Sequence, residues 1–198
     1  DGNCCPCPEH HEKAEGVVAI DGKTLRRSFD SSTNKKAIHM VSAWAVENGL
    51  VLGQLKTEEK SNEITAIPAL LDWLEVQGCI VTIDAMGCQK EIAEKVIEKE
   101  ADYIFSLKRN QENLYNEVFA LFQRAQETNF DGLQWDFHET EDHNHGRHEV
   151  RRYWTISSLD GLEQIEKWPQ LRLVGMVESE CTCKGEITRE FRFYISSL

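Results

Sequence analysis

Two short apolar runs, Val17-Val18-Ala19-Ile20 and Cys79-Ile80-Val81-Thr82-Ile83, each end in an aspartate, Asp21 and Asp84. Apolar runs of this length without polar alternation read as strands buried on both faces, which places them in the middle of a sheet. A chain with two such strands must build the rest of its fold around them.

The segments between and after them supply that fold. Residues 37–46 are strand-like through Ile38, Met40, Val41, Trp44 and Val46. Asn48-Gly49 gives a hairpin signal, and residues 50–56 form the return strand. Ile64, Ile67, Leu70, Leu71 and Leu74 recur with helical spacing, with Ser61 or Asn62 as the cap. Pro68 sits deep in that pattern and moves the expected helix start towards Thr65. After the Asp84 strand the pattern predicts a helix on Ile92, Ala93, Val96 and Ile97, a strand over 103–107, and a helix from Asn110.

Beyond residue 128 the helical period is lost, and strands are predicted around 133–139, 147–156, 171–178 and 186–195. The organisation expected is a loose tail over 1–15, a core over 16–127 and a β-rich insertion region over 128–198. Three strands followed by alternating helices and strands outline an α/β, ribonuclease H-like mixed sheet with flanking helices on both faces.

In that topology the first and fourth strands are parallel neighbours, and Asp21 and Asp84 meet at one sheet edge. Two converging carboxylates can hold divalent ions for phosphodiester chemistry, and hard oxygen ligands favour Mg²⁺ or Mn²⁺. The same residues also suit ordinary turn chemistry at strand ends. Other schemes are absent: there is no G-x-S-x-G, no complete P-loop and no dinucleotide-binding glycine fingerprint.

Charge bears on the choice of partner. The net charge is -12, which argues against a generic nucleic-acid binder. Residues 21–60, however, carry 7 basic against 5 acidic side chains, with Lys23, Arg26, Arg27, Lys35 and Lys36 close together. That cluster is where a phosphate backbone would be accepted.

The 7 cysteines are odd in number and lack secretory context, so they read as free thiols. A thiolate zinc site from Cys4, Cys7, Cys181 and Cys183 is the alternative. His138, His143, His145 and His148 cluster near Glu149, and three readings stand: a metal site suited to zinc or nickel, a solvent-exposed hairpin tip, or a DNA-contacting loop using His145 and Arg147. The literal string His143-Asn144-His145 is not an HNH nuclease signature, because those nucleases spread the three residues over a ββα unit. No apolar run is long enough to span a bilayer and no signal-peptide layout opens the chain, so the expected compartment is the cytoplasm.

Five stretches occur in register with one family: Ala19-Ile20-Asp21-Gly22-Lys23-Thr24-Leu25-Arg26, Lys60-Ser61-Asn62-Glu63-Ile64, Thr82-Ile83-Asp84-Ala85-Met86-Gly87-Cys88-Gln89-Lys90, Leu107-Lys108-Arg109-Asn110-Gln111 and His145-Gly146-Arg147-His148-Glu149. Over residues 16–198 the chain resembles the bacterial insertion-sequence DDE transposases that include the H-repeat-associated proteins. The resemblance implies a ribonuclease H-like catalytic core with a β-rich insertion and Mg²⁺-dependent DNA cleavage and strand transfer at transposon ends. Asp21 and Asp84 would be the first two metal ligands, and the full-length form a possible homodimer. By position, Lys23, Arg26, Arg27, Lys108, Asn110, Gln111, His145 and Arg147 are the expected DNA contacts.

Two departures accompany the resemblance. The family's third carboxylate lies in a helix after the Tyr-Ile-Ser-Ser-Leu segment, whereas here Tyr194-Ile195-Ser196-Ser197-Leu198 closes the chain. Glu149 is then the substitute third ligand to consider, and an inactive remnant that only binds DNA or a partner is the alternative to an active enzyme. Residues 1–15 match nothing expected upstream of the first aspartate.

Overall fold

The computed structural model describes residues 14, 16–25, 38–57, 63–144, 147–159, 161–183 and 186–198. The expected tail falls outside these residues apart from Ala14, as do Arg26, Arg27, His145 and the helix caps Ser61 and Asn62.

The described part of the chain begins with β1 (Val17–Thr24), β2 (His39–Ala45) and β3 (Leu50–Thr57). These pair as antiparallel neighbours, β1 with β2 and β2 with β3. The β2–β3 hairpin turns at Gly49, whose φ of 64° is the left-handed conformation that glycine adopts without strain. Helix α1 (Glu63–Trp73) follows. It begins two residues earlier than the expected start near Thr65 and runs through Pro68, because the buried stripe Ala66, Ile67, Leu70 and Leu71 outweighs the hydrogen bond that proline removes.

Next come β4 (Ile80–Ile83), α2 (Lys90–Glu98), β5 (Asp102–Leu107) and α3 (Glu112–Glu127). Strand β4 lies between β1 and β5 and is parallel to both, as the paired apolar runs predict. The second half of the chain is antiparallel: β6 (Trp135–Asn144), β7 (Arg147–Ile156), β8 (Leu173–Cys183) and β9 (Glu186–Ser196). Its strands fall where the turn signals place them, with β6 and β8 reaching five residues further than expected.

The nine described strands form a single mixed sheet, in the order β3-β2-β1-β4-β5-β9-β8-β7-β6. The β-rich region is therefore not a separate layer beside the core. It continues the core's own sheet, because β9 pairs with β5, Phe105 opposite Ile195 and Leu107 opposite Phe193. Two closing serines secure this seam. Ser197 accepts the Tyr103 N–H at 3.0 Å and donates to Asp102 at 2.8 Å, while Ser196 donates to the Tyr103 carbonyl at 2.8 Å.

Helices on both faces are expected, but the described helices occupy one. The core alternates Val18 and Ile20 on β1, Val81 and Ile83 on β4, and Tyr103, Phe105 and Leu107 on β5, all buried on the same side. Helix α1 packs over β3 through Leu70 and is tied to α2 by the Lys95–Asp72 ion pair at 2.6 Å. Helix α3 reaches β9 through Tyr115 and Phe122, whose rings lie 5.4 and 5.9 Å from that of Phe193. Residues of the opposite parity, Ala19, Thr82, Ile104 and Ser106, line an open cleft. No described helix is long and apolar enough to cross a membrane.

Candidate active site

The register of the two central strands builds the site. Ile20 stands opposite Ile83 in the parallel β1–β4 pair, and the next residue on each chain is Asp21 and Asp84. Both aspartates are exposed and both line one cleft of about 480 Å³ on the face that carries none of the described helices.

Each carboxylate is held differently. Asp84 caps a 3₁₀ turn over Ala85–Gly87, its Oδ1 accepting the N–H groups of Met86 at 3.0 Å and Gly87 at 3.4 Å. Orientation through one oxygen keeps the second available for a cation. Asp21 has Lys23 two residues along the same strand, with Nζ 3.6 Å from Oδ2.

Beneath the Asp21 strand lies a buried polar chain. His39 and Glu63 are only 3% and 4% exposed; His39 Nε2 meets Glu63 Oε1, and His39 Nδ1 lies 2.8 Å from the Thr24 hydroxyl. Glu63 belongs to the Lys60–Ile64 motif, so that motif's acid is spent on supporting the strand from below.

Of the expected DNA contacts, Lys108 joins the aspartates in the cleft. Asn110 and Gln111 act as ties instead. Asn110 Nδ2 donates to the Ala85 carbonyl at 2.6 Å, and Gln111 Nε2 donates to the Cys88 carbonyl at 3.0 Å. They bind the turn after β5 to the turn after β4, which keeps Lys108 beside Asp84. Asn110 also lines an adjoining cleft with Asp84, Lys108 and Arg109. Arg147 is exposed at the far end of β7.

Glu149 does not join the aspartates. It pairs with Arg151, 2.8 Å away, and its register runs through Cys181 to Thr188. The level of Asp84 runs through Ser106 to Tyr194. Six residues of β9 separate the two levels, roughly 20 Å of strand. The antiparallel arm carries Glu149 away from the site, and the substitute third ligand is not realised.

The third carboxylate that does line the cleft is Glu190, which sequence reasoning missed together with Arg192 and Tyr194. Arg192 holds Glu190 in a two-pronged pair, both bonds 3.0 Å, and with help from Lys108 keeps its carboxyl below the usual carboxylate range. The spacing Glu190-x-Arg192-x-Tyr194 tells that the three share a strand face. Nothing local tells that the strand docks beside β5.

The fold and the site together define an α/β protein that presents acidic residues at the edge of a mixed sheet, in an open cleft flanked by cations. The chain belongs to the transposase DDE domain family, whose match covers residues 12–172. It is 44% identical over 194 residues to the candidate transposase YncI of Escherichia coli O157:H7, covering 96% of this chain and 49% of that protein. It is 41% identical over 193 residues to the H repeat-associated candidate transposase YhhI of E. coli K12, covering 95% and 50%. The H repeat-associated YbfD of the same strain is 46% identical over 153 residues, 77% of this chain and 59% of that protein. The chain thus spans about half the length of the first two relatives. Likeness to a solved structure, endonuclease V of Ciona intestinalis with a DNA 24mer, is weak, with a TM-score of 0.28 and 14% identity over 64% of this chain and 59% of that one.

Proposed function

We propose that this chain carries the core of a transposase that cleaves and joins DNA strands, with Asp21 and Asp84 as ligands of a divalent cation, Mg²⁺ or Mn²⁺. The observation that carries the reading is the β1–β4 register, which sets the two aspartates side by side on one cleft. Family membership supports a transposase function, and the family generally uses divalent metals. The order β3-β2-β1-β4-β5, with β2 alone antiparallel among the five, supports a ribonuclease H-like core over 16–127, elaborated by the strands of 128–198.

The donor set fits such an ion: exposed carboxylate oxygens, one of them already oriented by backbone N–H groups. A cation bound there would activate an attacking oxygen and stabilise the leaving oxygen of a phosphodiester. The chain's own residues do the rest. Lys108 and Lys23 offset phosphate charge at the cleft, Asn110 and Gln111 fix the turn that bears Lys108, and the buried His39–Glu63 pair holds the end of β1.

Calorimetry with Mn²⁺ checks the assignment. Binding to the wild-type chain is expected, and its loss in the Asp21→Asn, Asp84→Asn double variant; identical heats in both would remove it. On supercoiled DNA, metal-dependent nicking lost in Asp84→Asn identifies catalysis. Salt-sensitive binding without nicking identifies a module that only binds DNA.

A further inference from the structure

We propose that the tip of the β6–β7 hairpin is a second metal site, in which Glu141, His143 and His148 bind a transition-metal dication of the zinc type. The three residues lie on one sheet face. His143 stands directly opposite His148 across the hairpin, and Glu141 precedes His143 by one alternation. Both imidazoles aim Nε2 at the same carboxylate oxygen, Glu141 Oε1, from 3.2 and 2.6 Å. The ligand atoms all lie within 4.8 Å of one another, and the rings stack with centroids 4.3 Å apart and planes 4° from parallel.

A pair of protonated rings explains this arrangement poorly. One carboxylate cannot balance two imidazolium rings, and two stacked cations repel. A neutral ring can donate its Nε2–H to Glu141 or, with the proton on Nδ1, offer the Nε2 lone pair. Two such lone pairs beside an anionic oxygen are the donor set zinc takes when three protein ligands leave a fourth position open to water. Nearby cations are engaged elsewhere on the same face. Arg152 meets Glu139 at 2.8 Å and Glu178 at 3.4 Å, and Arg189 meets Glu180 at 2.7 Å. Among the described residues, Glu141 has only the two histidines as ion-pair partners.

Zinc bonds of ~2.0–2.2 Å in a tetrahedron need ligand atoms about 3.3 Å apart. Imidazole lone pairs lie in the ring planes, so His148 must ease back and turn out of the stack for both rings to face one ion. A side chain on an exposed hairpin can do so. The site is separate from the aspartate cleft. Alternation through β7, β8 and β9 puts Asp142, Glu149 and Glu190 on the cleft side and these three residues on the other.

The test is Zn²⁺ titration of the whole chain by calorimetry, with Co²⁺ as a spectroscopic probe. Four proteins are compared: wild type, His143→Asn/His148→Asn, Asp21→Asn/Asp84→Asn and Cys181→Ser/Cys183→Ser. Circular dichroism checks that each variant is folded; His143 is exposed, His148 is half-buried, and neither belongs to the hydrophobic core. Zn²⁺ affinity is expected to fall about 100-fold in the histidine variant and to hold in the other two. Co²⁺ should show visible ligand-field bands without a thiolate charge-transfer band. Zn²⁺ affinity unchanged in the histidine variant overturns the proposal, as does loss of binding in the cysteine variant instead. The aspartate variant reads the cleft separately, so failure here leaves that assignment standing.

Discussion

Gly22 is glycine because of what lies beneath it. A Cβ at this position would sit 2.3 Å from Glu63 Oε1 and 2.4 Å from its Cδ, and the buried His39 keeps that carboxylate from swinging away. Gly22→Ala is therefore expected to destabilise the fold by roughly 1–3 kcal/mol, measured by urea denaturation. Cys88 is dictated by burial in a different sense. Burial pushes its thiol from the ordinary 9.0 up to about 12. Above pH 9 the unfolded chain loses this proton while the folded chain keeps it, so stability falls as pH rises towards 12. The slope for this one group is about 1.4 kcal/mol per pH unit. Denaturation from pH 8 to 11 should show the penalty of Cys88→Ala shrinking with pH; a constant penalty would contradict the assignment. Neither residue advertises its role by type. Asp-Gly reads as a turn signal, yet Gly22 lies within β1 and is needed to make room for a helix residue 41 positions on.

Among the elements, the parallel strands and helices were legible because their signals are local. Apolar runs, a period near 3.6 and the Asn48-Gly49 turn need no knowledge of the rest of the chain. The start of α1 was not legible, because the packing that sustains a helix across Pro68 comes from strands elsewhere in the sequence. The reach of β6 and β8 was also underestimated, whereas β7 and β9 fall within one residue of the expected ranges. Their outer ends alternate polar residues on both faces, as in Glu139-Thr140-Glu141-Asp142, so no apolar stripe marks the strand. That composition also predicts their dynamics. The outer arm is held by cross-strand hydrogen bonds and ion pairs with no described helix over it, whereas Val81, Ile83, Tyr103 and Phe105 of β4 and β5 are buried in the core. Native-state hydrogen exchange should find amides of Val81, Ile83, Tyr103 and Phe105 protected to near the global limit. Those of residues 139–143 and 148–150 should exchange through local opening.

At the scale of the whole molecule, the net charge of -12 says little about the cleft. Acid is spread over helix surfaces and the arm, while Lys23, Lys108, Arg109 and Arg192 gather around the two aspartates and their adjoining clefts. The sequence by itself determined the central strands and the meeting of Asp21 with Asp84, because both follow from local pattern plus one topological rule: a parallel pair in register carries equivalent residues to one edge. The family was legible through the resemblance of five motifs. Only the tertiary structure decided that β9 joins β5, that Glu190 and Arg192 therefore enter the cleft and Glu149 does not, and that the described helices leave one face open. Strand partners and strand offsets over some 90 residues depend on side-chain fit across the assembled sheet, and short-range spacing carries no record of that fit.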